Sequence, residues 1–157
     1  MSVDLRGTEV LVVGAGIMGA GIVQVAALAG HPVKLFDMRE GAAAQAVDKL
    51  AATLKSLVDK GKLADAAARA ALERIAPIHS LAQARAAGLV VEAIVENLDA
   101  KRALFNELEG IVAPGAVLAT NTSSISVTAI ANGLLHPGRL VGMHFFNPVP
   151  LMKVVEV

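Results

Sequence analysis

The sequence contains no cysteine, no tryptophan and no tyrosine, and only four phenylalanines. Without cysteine there is no disulfide, no thiolate nucleophile and no zinc–thiolate site. The four histidines, His31, His79, His136 and His144, do not fall at metal-ligand spacing, so no metal site is expected. Charge of one sign is missing too: 14 basic and 14 acidic residues leave a formal net charge of +0. There is no basic tract and no interleaving of basic with aromatic residues, which argues against nucleic acid as a partner. Long hydrophobic runs are absent. The most apolar stretch, Ile17 to Ala29, is too short to span a bilayer, and no membrane partner is expected. The N-terminal Met-Ser-Val-Asp-Leu-Arg-Gly lacks the charged-then-apolar pattern of a signal peptide, so a cytoplasmic location is expected.

What remains is apolar bulk. Hydrophobic residues make up 55% of the 157 positions and charged residues 18%. That suits one folded domain with a sizeable core rather than a disordered chain. Strand-like runs occur at Glu9–Val13, Val33–Asp37, Leu89–Ala93, Ala116–Ala119 and Arg139–His144, with a weaker one at Ile75–Ile78 and a last one at Lys153–Val157. Helical stretches lie between them, the alternation of βαβ units and a parallel sheet. Val47, Leu50, Leu54 and Leu57 recur at helical spacing up to a stop at Gly61, and a second, alanine-rich helix is expected from Leu63 to about Ile75. Two helices thus stand where one crossover would suffice. They form either a hairpin packed on the sheet or an arm that contacts a substrate or partner. A further helix is expected from Leu98 to Ile111, ended by Pro114-Gly115.

The strongest local signal is Val10-Leu-Val-Val-Gly14-Ala-Gly16-Ile-Met-Gly19, an apolar strand running into a Gly-x-Gly-x-x-Gly turn. Gly14 allows a tight turn, Gly16 lets backbone approach a pyrophosphate, and Gly19 lets helix and strand pack closely. The helix that starts there offers unpaired N–H groups and a positive dipole end to phosphates. The next strand ends on Asp37, where a carboxylate can accept the ribose hydroxyls of an adenosine. Dinucleotide binding follows from that order, with NAD favoured over NADP because Asp37 would repel a 2′-phosphate. Arg39, two residues on, could accommodate that phosphate.

Three more segments follow strands at the edge where open α/β sheets bind ligands. In Val91-Glu92-Ala-Ile-Val95-Glu96-Asn97, Glu92 sits inside an apolar run, which is costly unless it is paired or reaches the strand end. Glu96 and Asn97 either cap the next helix or face a ligand. In Thr120-Asn121-Thr122-Ser123-Ser124, five polar uncharged side chains can bond a ligand or cap the helix beyond. In Gly142-Met-His144-Phe-Phe-Asn147-Pro148, His144 closes a strand, and Glu156 follows twelve residues on, in a strand that could run back beside it. A histidine held by a carboxylate is an oriented base, as a proton acceptor beside a hydride acceptor needs.

These segments resemble the NAD-binding domain of the 3-hydroxyacyl-CoA dehydrogenases. The glycine turn, Val91 to Asn97, Thr120 to Ser124 and His144 to Pro148 match that family's signature motifs in order, over essentially the whole chain. The wording is most similar to the bacterial enzymes of phenylacetate breakdown. The resemblance implies a Rossmann-type doubly wound, mostly parallel α/β sheet with an inserted helical hairpin, in one NAD-binding domain over residues 1–157. It implies NAD-dependent oxidation of 3-hydroxyacyl-CoA to 3-oxoacyl-CoA. By the same resemblance Gly14, Gly16 and Gly19 form the pyrophosphate turn, with Ile17 and Met18 against the cofactor and Asp37 on the adenosine ribose. Val95, Glu96 and Lys101 line the NAD site, Asn121 lies near the nicotinamide ribose, and Asn147 positions cofactor or substrate. Ser123 contacts the reacting oxygen and the cofactor, His144 is the base, and Glu156 orients it. The hairpin corresponds to one that touches the CoA moiety. Family members continue into a helical domain that closes the acyl site and usually carries the dimer contacts. That domain is not in this sequence, so the expectation is a first domain that binds NAD and turns over slowly or not at all. The other expectation is an NAD(H)-binding or regulatory module without catalysis.

Overall fold

The structure is a computed structural model that describes residues 5–157. The first four residues of the N-terminal stretch discussed above lie outside it. Six strands form one parallel sheet: β1 (Val10–Val13), β2 (Val33–Phe36), β3 (Ile75–Pro77), β4 (Leu89–Glu92), β5 (Val117–Thr120) and β6 (Leu140–Gly142). Their order is β3-β2-β1-β4-β5-β6. The chain therefore winds outward one way from β1, returns, and winds out the other way from β4. This is the doubly wound order, whose switch point between β1 and β4 opens a crevice at the carboxyl ends of the strands.

Alternation along β1 shows how the sheet is covered. Val10 and Val12 face one core with helices α1 (Ile17–Leu28), α2 (Ala42–Asp59) and α3 (Asp65–Glu73). Leu11 and Val13 face the other, with Phe105 and Leu108 of α4 (Leu98–Ile111) and Ile130 of α5 (Val127–Ala131). Every residue of β1 is buried, as a strand with helices on both faces must be. Each fully buried leucine or valine there contributes roughly 1.5–3 kcal/mol.

Boundaries depart from the sequence expectation in three places. The expected strand Arg139–His144 divides. A 3-10 turn takes Pro137–Arg139, β6 holds Leu140–Gly142, and a new strand β7 takes His144–Phe145. The expected terminal strand shrinks to β8 (Val155–Glu156), and it pairs with β7 in a separate antiparallel ribbon, not with the main sheet. The helix expected to reach Ile75 stops at Glu73, because Ile75 pairs with Val33 as the sheet edge. The weak strand candidate is thus a real edge strand. The two inserted helices do pack on the fold: Leu50 and Leu54 of α2 and Ala68 and Ala71 of α3 are buried in the first core. Among the described residues no helix is long and apolar enough to cross a membrane.

Candidate active site

The glycine turn is shaped by backbone crowding. A Cβ on Gly19 would lie 1.7 Å from the Gly14 carbonyl oxygen, and one on Gly14 would lie 2.4 Å from the Ala93 oxygen. Gly14 also has a φ of 109°, a conformation that favours glycine. Gly16 is different: a Cβ there would meet nothing within 4 Å. Gly16 caps α1 with no side-chain acceptor, and the first turn of α1 holds no acidic residue. Open space beside an uncapped helix N-terminus fits the pyrophosphate of a dinucleotide. Ile17 is 79% exposed at that edge, whereas Met18 is half-buried and packs partly against the core.

Asp37 follows β2 and is tied back to the turn. Its Oδ2 accepts the Ala15 N–H at 2.8 Å, and its Oδ1 accepts the Arg39 N–H at 2.9 Å. The Arg39 guanidinium adds Nε to Oδ1 and Nη2 to Oδ2, both at 3.0 Å. The guanidinium hydrogen bonds, with partial burial opposing and the Ala15 amide assisting, hold the Asp37 carboxyl down at about 2. Asp37 is therefore an acceptor-only carboxylate at any physiological pH. Arg39, considered above for a 2′-phosphate, pairs with Asp37 here.

Across the switch point a buried ionic network joins β4, α4 and β5. Glu92 is 0% exposed and Lys101 1%. Lys101 Nζ donates to Glu92 Oε1 at 2.6 Å and lies 3.2 Å from Glu96 Oε2. Glu92 also accepts the Ile94 N–H at 2.7 Å and the Thr120 hydroxyl at 2.7 Å. The apolar-run glutamate is thus paired, as its cost demanded. Glu96 reaches on to the turn after β5, accepting the Thr122 hydroxyl at 2.9 Å, the Ser123 N–H at 2.8 Å and the Ser123 hydroxyl at 3.3 Å. Burial works to raise the Glu96 carboxyl, but the Ser123 amide, the Thr122 hydroxyl and Lys101 outweigh it and hold the group below its ordinary value.

This placement corrects one expectation. Lys101 does not line an open site, because protein covers its ammonium group. It supports the lining from behind, through Glu92 and Glu96. Of the two residues weighed as caps, Asn97 caps α4 by accepting the Ala100 N–H at 2.9 Å, while Glu96 holds the Ser123 turn. The helix beyond the polar run is capped by Ser126, and Thr122 accepts the Ser124 and Ile125 amides. Val95 is 70% exposed at the rim. Thr120, weighed above as a ligand or cap residue, is instead buried and donates its hydroxyl to Glu92. The misplaced charge at Glu92 announced a partner, but only the register Glu92↔Thr120 between β4 and β5 shows which one.

At the far side of the same edge, His144 and Glu156 face each other across the β7–β8 ribbon, with Nδ1 2.9 Å from Oε2. A carboxylate can only accept, so Nδ1 carries the hydrogen, and in the neutral ring the lone pair is then on Nε2. The ribbon is tied to the sheet where Asn121 Oδ1 accepts the Phe145 N–H at 2.8 Å. Asn147 is exposed in the loop beyond and precedes Pro148 through a cis peptide bond.

Known proteins are similar to this chain in sequence and fold. The family model described as "3-hydroxyacyl-CoA dehydrogenase, NAD binding domain" matches residues 9–157. A 3-hydroxyadipyl-CoA dehydrogenase of Escherichia coli K12 is 47% identical over 148 residues, which cover 94% of this chain and 31% of that protein. A probable 3-hydroxybutyryl-CoA dehydrogenase of Bacillus subtilis is 42% identical over 149 residues, covering 95% of this chain and 52% of that protein. The crystal structure of a 3-hydroxybutyryl-CoA dehydrogenase from E. coli K12 superposes with a TM-score of 0.92 at 46% identity, covering 94% of this chain and 31% of that one. The chain thus spans 31% to 52% of the length of these relatives. It belongs to the family of the NAD-binding domain of 3-hydroxyacyl-CoA dehydrogenase.

Proposed function

We propose that this chain is the cofactor half of an enzyme that oxidises 3-hydroxyacyl-CoA to 3-oxoacyl-CoA. The observation that carries the reading is the His144–Glu156 pair at 2.9 Å, on a ribbon hung from the strand ends that also bear the glycine turn. NAD, when bound, supplies the acceptor for the hydride that leaves C3 of the substrate. His144 takes the 3-hydroxyl proton on Nε2, and Glu156 holds Nδ1–H and stabilises the imidazolium that forms. Ser123, fixed by Glu96, meets the reacting oxygen. Gly14, Gly16, Gly19, Ile17 and Met18 hold the pyrophosphate end, and Asp37 accepts the adenosine ribose hydroxyls. Val95, Glu96, Asn121 and Asn147 line the nicotinamide end, with Lys101 behind Glu96.

The inserted helices serve the CoA moiety in this reading. A cleft of about 440 Å³ lies between α1 and α2, and Arg39, Gln45, Lys49 and Thr53 are among the side chains that line it. Two cations and two neutral polar groups beside an uncapped helix N-terminus suit phosphates and an adenosine. The relatives extend well beyond the stretch this chain matches, and we infer that their remaining residues complete the acyl pocket. The chain alone then binds NAD and turns over slowly.

The test is an NADH titration followed by fluorescence, with NADPH as control, in a chain that has no Trp or Tyr background. Saturable NADH binding with a weaker NADPH response is expected. Oxidation of NADH by a short 3-oxoacyl-CoA is then compared between the parent and His144→Gln. Loss of oxidation in the variant supports the base. A variant as fast as the parent rejects it, and binding without oxidation in both chains favours a cofactor-binding module.

A further inference from the structure

The parallel ladder between β5 and β6 ends at Thr120↔Gly142. Beyond it the two chains part. Asn121 turns toward β4, where its N–H donates to the Glu92 carbonyl at 2.8 Å. The other chain goes on into β7. Two contacts still join them, one on each side of His144. The Met143 N–H donates to the Thr120 carbonyl at 2.9 Å, and the Phe145 N–H donates to the Asn121 side-chain carbonyl at 2.8 Å. A side-chain amide thus stands in for the backbone acceptor that the sheet no longer offers. His144 itself faces Glu156 in register, and Phe145 faces Val155.

We propose that Asn121 is a positioning residue for His144: its side-chain carbonyl fixes the Phe145 amide and with it the register that sets the imidazole against Glu156. The proposal rests on the reading of His144 as the base. The ribbon has two residues per strand, too few to hold a register by its own ladder. Glu156 is largely exposed, with 66% of its side chain open to solvent, so burial does not lock the pair either. Asn121 is itself anchored by the Glu92 carbonyl, and the Glu92 side chain is anchored by Lys101. The buried network therefore reaches the base from two sides, through the Thr120 carbonyl to Met143 and through the Asn121 side chain to Phe145. Asn121 Nδ2 makes no hydrogen bond among the described residues, so this role does not compete with a place beside a nicotinamide ribose.

The experiment uses the 157-residue chain and two variants. Asn121→Ala removes the acceptor, and Asn121→Asp keeps an acceptor oxygen at the same position. Amide hydrogen exchange is read at Phe145, with Leu118 and Val12 as sheet controls. The His144 tautomer is read by two-bond ¹H–¹⁵N correlation at a pH where the imidazole is neutral. In Asn121→Ala, Phe145 should exchange about tenfold faster, the scale of one lost hydrogen bond, with the controls unchanged. The single Nδ1–H tautomer of the parent should become a mixture. Asn121→Asp should restore the parent pattern. Parent-like exchange and tautomer in Asn121→Ala would overturn the proposal, as would a general loss of protection that includes Leu118, or fast Phe145 exchange in Asn121→Asp. A His144→Gln chain that still oxidises NADH would remove the base and leave these exchange results standing, so the two failures are distinct.

Discussion

The two sides of the crevice are built in opposite ways. On the β1–α1–β2 side the shape comes from atoms that are missing. Gly14 and Gly19 stand where a methyl group would overlap backbone, and the carboxylate beside them, Asp37, is held by the exposed side chain of Arg39. On the β4–β5 side the shape comes from charge that is present and enclosed. Glu92 and Lys101 sit in the interior and reach outward through Glu96, Thr120 and Asn121. The difference teaches what each side tolerates. The first cannot accept an added atom, and the second cannot lose a partner.

The largest effect should therefore come from one methyl group on the first side. Gly19→Ala puts Cβ 1.7 Å from a carbonyl oxygen that belongs to backbone and cannot rotate away. Its cost should exceed about 4–5 kcal/mol, most of the stability of an ordinary domain of roughly 5–15 kcal/mol. Gly16→Ala is the matched control, since its Cβ has open space. It should unfold in urea like the parent yet bind NADH more weakly. A Gly19→Ala chain with the parent's urea midpoint would break the comparison at its root.

Next in size is a lost partner on the second side. Lys101→Met removes the only cation among the described residues that touches Glu92 and leaves a buried carboxylate behind. The expected cost is about 3–5 kcal/mol. Adding Glu92→Gln removes the stranded charge, so the double variant should recover more than half of that loss. Urea unfolding of the two single variants and the double one measures the coupling. Additive losses would show that Glu92 and Lys101 do not act as a pair.

The same division decides what was legible in the sequence. The glycine side could be read almost completely, because it depends on local order: strand, turn, helix, strand, acid. Gly19 is crowded from within that unit, by the Gly14 carbonyl, although Gly14 is also crowded by Ala93 beyond β4. The charged side could be read only as a need. Glu92 in Leu-Val-Val-Glu demanded a partner, but Lys101 and Thr120 are brought to it by helix phase and by the β4–β5 register, which no single segment contains. For that reason Lys101 was expected to face a ligand and instead lies behind Glu96. The split of Arg139–His144 was hidden for a similar cause. The run is continuous in apolar character, and it breaks because β5 offers no further backbone acceptor after Thr120. Its replacement, the Asn121 side chain, carries no sequence signal beyond being an asparagine after a strand.

Smaller effects belong to Asp37. Asp37→Ala removes an ionised acceptor from the proposed ribose position, a contact worth about 1.5–3 kcal/mol. NADH affinity should fall about ten- to hundredfold, while NADPH, which Asp37 repels, should lose less or gain. Fluorescence titration with both cofactors reads the ratio. An unchanged NADH affinity would remove Asp37 from the site and leave the first side with nothing but its turn.

The smallest effect separates the two sides by pH and salt. Asp37 and Glu96 are both held below their ordinary values. A carboxyl lowered by folding stabilises the native state above its unfolded value, and that contribution disappears as pH falls through the folded value. For Asp37 the window runs from 3.8 down to about 2, and Asp37→Asn should abolish its share of the acid slope. The causes differ, however. Asp37 depends first on Arg39, whose side chain is 73% exposed, so roughly 1 M salt, with a screening length of about 3 Å, should weaken the attraction. Glu96 is more exposed, but it is held down first by the Ser123 amide and the Thr122 hydroxyl, neutral donors that salt does not screen, and then by Lys101, which is itself buried. In a carboxyl ¹³C titration the Asp37 midpoint should rise with salt while that of Glu96 stays. If both midpoints rose together, Glu96 would depend on screened charge as Asp37 does, and the two sides would not differ electrostatically.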